Sequence, residues 1–301
     1  MTANGTTSMP TSIPLLPRSE PPAPAASSAY VTYSRTDASE TFPPTPPGPP
    51  RVQVQDLSVR YAPDATLVLD GVDLTLHAGE TVALLGSSRS GKSTLMKSLT
   101  GFAPITSGTV LIENADVAGL NSRELRRLRS QVGQVFQQFN LIGRLSVLTN
   151  VLLGSSHHAG PLNRIGTFRT VDRRRAYELL ERVGIADKAT AEARSLSGGQ
   201  QQRVAIARAL MQKPRCILAD EPVASLDPRT SHTVLQLLQS IARDEQIPVL
   251  VSLHIVPLAL QHSDRIVGLR AGRIDVRGAT TDLDGDALAS VYAVDHEEEQ
   301  A

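Results

Sequence analysis

Thr81-Val82-Ala83-Leu84-Leu85-Gly86-Ser87-Ser88-Arg89-Ser90-Gly91-Lys92-Ser93-Thr94 is the stretch on which the fold turns. Its opening residues are a short apolar run, the pattern of a strand buried on both faces of a sheet. Gly86 to Ser93 then fits G-x-x-x-x-G-K-[ST], and a helical segment follows that closes at Gly101. Strand, glycine-bearing loop and helix in that order make an anion cradle. Loop N–H groups and the positive end of the helix converge on phosphates, Lys92 adds a full charge, and the Ser93 hydroxyl suits Mg²⁺. Gly86, Ser87, Ser88, Arg89, Ser90, Gly91, Lys92, Ser93 and Thr94 are therefore the candidate phosphate-binding residues.

Outward from this loop the chain alternates strands and helices. Val52/Val54 and Leu57/Val59 alternate with a phase change at Gln55-Asp56 that predicts a bulge, and Val72, Leu74 and Leu76 alternate after an expected turn at Asp70-Gly71. Short apolar runs recur at Cys216–Ala219, Val249–Leu253 and Ile266–Leu269. Asn121 with Glu124 reads as a capped helix start. Ala176, Leu179, Leu180 and Val183 share a helical face closed by Gly184, and Val234, Leu237, Leu238 and Ile241 share another opened by Asp227-Pro228. This alternation predicts an α/β fold with a mainly parallel sheet, and residues 140–212 read as a helical insertion.

Composition sets further limits. With 30 basic and 30 acidic residues among 301, the chain lacks the charge asymmetry expected of a nucleic-acid binder. One cysteine, Cys216, excludes an internal disulfide framework and sits in an apolar run, as a buried core thiol does. The longest apolar stretch, Ile247–Leu260, contains two prolines and a histidine and falls short of the roughly 20 residues a membrane helix needs. No secretory signal is expected. Residues 1–50 hold 12 of the 20 prolines and have little apolar surface to offset ordering entropy, so a disordered arm is expected there, with a tail over 279–301. His157-His158 and the tail His296-Glu297-Glu298-Glu299 read as solvated.

Two further segments carry chemistry. Cys216-Ile217-Leu218-Ala219-Asp220-Glu221 is a strand ending in two carboxylates. At the carboxyl edge of a parallel sheet they stand beside bound phosphates: Asp220 suits direct or indirect Mg²⁺ binding, and Glu221 suits a base for, or orienter of, an attacking water. Leu196-Ser197-Gly198-Gly199-Gln200 opens a helix with a capping box. Paired glycines disfavour a helix by about 1 kcal/mol each, which points to close approach of phosphate to the backbone.

L-S-G-G-Q together with the phosphate loop resembles the ATPase cassette of ABC transporters, and the likeness spans about Val52 to Gly278. The resemblance implies a P-loop NTPase (RecA-like) core with an antiparallel β subdomain and an inserted helical subdomain, within a domain set here at 51–278. It also implies roles by position. Tyr61, 25 residues before Gly86, matches the aromatic that stacks on adenine. Gln137 matches the glutamine linking Mg²⁺ and water to the helical subdomain, Asp227 the D-loop aspartate, and His254 the switch histidine at the γ-phosphate. Arg89 departs from the small residue frequent at its position; its charge could assist phosphate binding or crowd it, and a positive φ there would be strained.

The same resemblance implies ATP and Mg²⁺ as ligands. It implies a second ATPase subunit that closes its Ser197, Gly198, Gly199 and Gln200 on the first subunit's ATP, two transmembrane permease subunits, and attachment at the cytoplasmic face of the cell membrane. Soluble cassette proteins of translation or DNA repair would carry two cassettes or a long coiled-coil insertion, yet Leu196 follows Gln137 by only 59 positions. A silent regulatory cassette is disfavoured by the presence of Glu221 and His254. Residues 136–154, 196–211 and 219–228 resemble phosphonate-importer ATPases, so the expected cargo is a phosphonate or related phosphorus oxyanion delivered by an extracytoplasmic solute-binding protein. An importer for another small polar solute, such as amino acids, is the alternative.

Overall fold

The computed structural model describes residues 49–155, 168–283 and 288. Residues 1–48 of the 1–50 arm, the His157-His158 pair and all of the tail beyond 283 except Leu288 lie outside the described residues; the arm's last residue, Pro50, opens the first strand. Strands are β1 Pro50–Val59, β2 Leu69–His77, β3 Thr81–Leu85, β4 Ser107–Ile112, β5 Ala115–Asp116, β6 Val132–Phe136, β7 Cys216–Asp220, β8 Val249–Ser252, β9 Arg265–Arg270 and β10 Arg273–Ala279. Helices are α1 Lys92–Leu99, α2 Ser122–Arg129, α3 Val147–Leu152, α4 Thr170–Arg182, α5 Gly198–Met211, α6 Pro228–Glu245 and α7 Val256–His262.

Two sheets form. The larger has the order β10-β9-β3-β8-β7-β6, parallel except for β10; the smaller, β2-β1-β4-β5, is antiparallel. The apolar runs are explained by two cores, one on each face of the larger sheet. Ala83, Leu85, Ile217, Ala219, Val249 and Val251 enter one core with the helical segments. Their neighbours Val82, Leu84, Cys216, Leu218 and Leu250 enter the other, with α1 and the antiparallel sheet. Strict alternation between two dry faces follows from the two-residue period of a strand and needs apolar residues at every position.

The expected bulge is present: pairing of β1 with β2 slips between Val54 and Leu57, and Asp56 takes φ 48°. Asp70-Gly71, in contrast, is not a turn between elements. It lies inside β2, where Gly71 at φ 63° takes the left-handed conformation that local sequence reads as a reversal. The caps follow expectation. Asn121 and Glu124 exchange both capping-box bonds at α2, Gly184 at φ 73° follows α4, and Asp227 caps α6 with Pro228 in its first turn. Between β6 and β7 the described segments are helical, α3 to α5, and share one core.

Candidate functional site

Strand register decides where the chemistry collects. Phe136 pairs with Asp220, Ala219 with Val251, and Leu84 with Ser252, so β6, β7, β8 and β3 end side by side. Gln137, Glu221, His254 and the Gly86–Ser93 loop each follow one of these carboxyl ends. Residues separated by up to 168 positions thus share one sheet edge, the position at which open α/β sheets bind ligands.

The loop from Gly86 folds tightly under α1. A Cβ at Gly86 would lie 2.4 Å from both the Leu269 carbonyl oxygen and Ser90 Oγ, so only glycine fits. Gly91 caps α1 at φ 108° without a side-chain bond. Lys92 is buried, and its Nζ donates to the carbonyl oxygens of Gly86 (2.7 Å) and Ser87 (3.0 Å). Burial lowers its pKa, an effect opposed by the carboxylates of Glu221 and Asp220. A buried ammonium held by carbonyls rather than by a direct carboxylate is a ready partner for an anion. Ser90 Oγ is buried with no hydrogen-bond partner among the described residues. Arg89 takes φ 71°, the positive φ at which a non-glycine residue is strained, and its side chain is exposed.

Opposite the loop stands a hydrogen-bonded chain. Ser252 Oγ donates to Asp220 Oδ1 (2.8 Å) and accepts from the Glu221 amide (2.8 Å), while His254 Nε2 bonds Glu221 Oε1. Glu221 takes φ 48°, so the backbone turns sharply where the strand ends. Ser252 was not a sequence candidate. A serine at the end of an apolar strand carries no motif signal, and its full burial between two carboxylate-bearing positions appears only once β7 and β8 pair. A cavity of about 550 Å³, with Val223 and Leu258 in its wall, opens beside Glu221 and His254.

The remaining candidates occupy the rim. Tyr61 is 54% exposed, and its hydroxyl lies 3.3 Å from Thr94 Oγ1. Gln137 is exposed, and the two carbonyls that follow it, of Phe139 and Asn140, accept from Arg208 of α5. Asp227 accepts from the Thr230 amide (3.0 Å). Hydrogen bonding to Thr230, through its side chain first and its amide second, lowers the Asp227 pKa.

Ser197 and Gln200 form the expected capping box at α5. Among the described residues no hydrogen bond joins Ser197, Gly198, Gly199 or Gln200 to the phosphate loop of the same chain. The glycine pair has a second cause that sequence reasoning did not supply: a Cβ at Gly199 would lie 2.2 Å from Thr230 Cγ2, and one at Gly198 3.2 Å from Leu226 Cδ2. Close packing of α5 on the start of α6 requires at least the second glycine.

Residues 69–224 match the family model described as ABC transporter. The chain is 46% identical over 242 residues to the phosphonates import ATP-binding protein PhnC 2 of Cupriavidus metallidurans, covering 80% of this chain and 86% of that one. It is 49% identical over 230 residues to the phosphonates import ATP-binding protein PhnC of Frankia casuarinae, covering 75% and 90%. It is 46% identical over 230 residues to the hypophosphite import ATP-binding protein HtxD of Stutzerimonas stutzeri, covering 76% and 67%. Among solved structures it resembles the dimeric post-hydrolysis ATP-binding cassette MJ0796 bound to ADP and Pi, with TM-score 0.66, 34% identity and coverage of 76% and 98%. It also resembles cbiO1 from Clostridium perfringens, part of the transporter complex cbiONQ, with TM-score 0.71, 28% identity and coverage of 80% and 93%.

The chain belongs to the ABC transporter family. It is an ATP-binding, ATP-hydrolysing cassette with the P-loop NTPase fold.

Proposed function

We propose that this cassette energises import of phosphonates or a related phosphorus oxyanion through a separate permease, acting as a peripheral subunit at the cytoplasmic face of the membrane. The cargo reading rests on one observation: relatives that cover most of the chain are phosphonate or hypophosphite import ATP-binding proteins. The cassette touches the permease rather than the cargo, so partner choice carries this information. The docking segment is the loop after Gln137, where Ile142 is 50% exposed. Buried Asn150 holds that loop, accepting from the Ile142 amide (2.8 Å) and donating to the carbonyls of Ile142, Leu145 and Ser146. We assign 51–278 to the ATPase domain and 140–212 to its helical subdomain.

In the working site, Tyr61 stacks on adenine, while the Gly86–Thr94 loop and Lys92 bind the phosphates. Ser93, Gln137 and Asp220 would hold Mg²⁺. All three offer oxygen donors, and Asp220 Oδ2 is without a hydrogen-bond partner among the described residues, which suits a hard cation. When bound there, the ion would supply neutralisation of charge on the nucleotide's phosphates. Glu221 takes the proton of the attacking water, a contribution of about 10²–10⁴ in rate for a positioned base. Its bond to His254 is exchangeable, so His254 can turn to the γ-phosphate when ATP is present. Ser197, Gly198, Gly199, Gln200 and Asp227 of a second copy complete each site. Nucleotide then forms part of a dimer interface that hydrolysis dissolves, the two-state element that moves two permease subunits.

Ligand binding by the solute-binding protein of the same importer tests the cargo. Micromolar or tighter binding of an alkylphosphonate, phosphite or hypophosphite is expected. Binding of amino acids with no response to these anions would overturn the assignment and leave the ATPase reading intact.

A further inference from the structure

A second cavity, of about 390 Å³, shares no residue with the nucleotide site. Its wall is assembled from four parts of the fold: Arg51 of β1, Arg175 of α4, Lys213 and Arg215 on the connection from α5 into β7, and Glu245 at the end of α6. Arg215 stands just before β7, at the end of the strand opposite Asp220. Five residues of strand, roughly 16 Å, separate the two positions.

The charges here are unequal. Four cations face one carboxylate, and Glu245 is already paired with Arg182, which is not part of the wall. Arg51 spends one nitrogen on Glu113 at 2.7 Å. Among the described residues Arg175 reaches only the Leu210 carbonyl, at 3.4 Å. The Nε atoms of both Arg51 and Arg175 are buried with no hydrogen-bond partner among the described residues. Lys213 and Arg215 are exposed and make no ion pair among the described residues. Lys213 is moreover held at φ 56°, a conformation disfavoured for a residue with a side chain. Two guanidinium groups with few protein acceptors, gathered beside two exposed cations in a concave site, are the complement of a multiply charged oxyanion. Gln246 adds a polar amide, and Leu210, Pro214 and Ile247 complete the wall with an apolar side for a short substituent.

We propose that this cavity binds the –PO₃²⁻ group of a small phosphorus oxyanion at a site separate from the nucleotide, and that occupancy braces α4 and α5 against the core. α5 begins at the Ser197 cap and ends at this wall, so the bound anion restrains the helix that carries the signature segment. The free ion and an organic phosphonate share the recognised group, and separate titrations distinguish them.

The test is calorimetric titration of the full chain, saturated with MgADP so that the phosphate loop is filled, using inorganic phosphate in one series and ethylphosphonate in another. One event per chain is expected for at least one anion. Losing a charge-assisted hydrogen bond weakens binding about tenfold or more, and that loss is expected both in Arg175→Gln and in the exposed double variant Lys213→Gln/Arg215→Gln. The double variant should bind ADP as wild type does, which separates this site from the nucleotide site. Tighter ethylphosphonate identifies an organic ligand, and phosphate alone identifies the free ion; either supports the proposal. No binding at millimolar anion, or affinity unchanged in both variants, overturns it without touching the cargo assignment.

Discussion

Gly199→Ala separates two explanations of the signature glycines. The new Cβ would stand 2.2 Å from Thr230 Cγ2. Carbon atoms pack best at about 3.5–4.0 Å, so one group must move by more than about 1 Å. Thr230 sits in the first turn of α6, where a β-branched side chain has few rotamers to retreat into. Overpacking of this kind costs about 1–3 kcal/mol. Alanine returns up to about 1 kcal/mol of helix propensity, less in a first turn, so strain wins by about 1–2 kcal/mol. For a chain of this size that lowers Tm by about 2–8 °C. Thr230→Ser removes Cγ2 and keeps the hydroxyl, so the double variant should recover most of the loss, with a coupling of about 1–2 kcal/mol. The assay is thermal unfolding without nucleotide on all four proteins. Gly199→Ala as stable as wild type, or no recovery in the double variant, would refute the packing argument. ATP-dependent dimerisation of the double variant adds the second half. If stability returns and dimerisation does not, the glycine also serves approach of phosphate to the backbone.

Lys92→Ala deletes the buried charge at the phosphates and should weaken nucleotide binding by about two orders of magnitude or more, read by fluorescent-nucleotide titration. Glu221→Gln should cut steady-state ATP hydrolysis about 10²–10⁴-fold while ATP binding persists; full turnover would refute the base assignment. Ser252→Ala leaves Asp220 Oδ1 and the Glu221 amide without their shared partner, a loss of about 1–3 kcal/mol, and should slow hydrolysis about tenfold or more. His262 is buried against His232 (2.8 Å), and burial first, then the neighbouring imidazole, lowers its pKa to about 4. The unfolded chain then binds the proton more readily, so this stability is complete above about pH 6.5 and lost as pH falls toward 4. Its ceiling is on the order of 3 kcal/mol. His262→Gln should flatten that stretch of the stability–pH curve measured by urea unfolding, and an unchanged slope would refute the assignment.

The sequence by itself determined what is local. Thr81–Ser93 specifies strand, loop and helix because the sterics of glycine, the Lys92 charge and the apolar run act over neighbouring residues. The caps at Asn121, Ser197 and Asp227 were legible for the same reason: a side chain three residues from a free N–H needs no tertiary partner. Asp220 and Glu221 could be named from their position after an apolar strand, and Tyr61, Gln137 and His254 from family resemblance. Tertiary structure decided everything that depends on register. Only the pairing of β7 with β8 sets Ser252 between Asp220 and Glu221, and only the packing of α5 on α6 makes Gly199 a steric necessity. Asp70-Gly71 was misread as a turn because a left-handed glycine has the same local signature inside a bulged strand as at a reversal. The basic cavity was invisible in the sequence, since Arg51, Arg175 and the Lys213/Arg215 pair lie far apart along a chain whose net charge is zero. Composition averages charge over the chain, while burial and folding sort it in space.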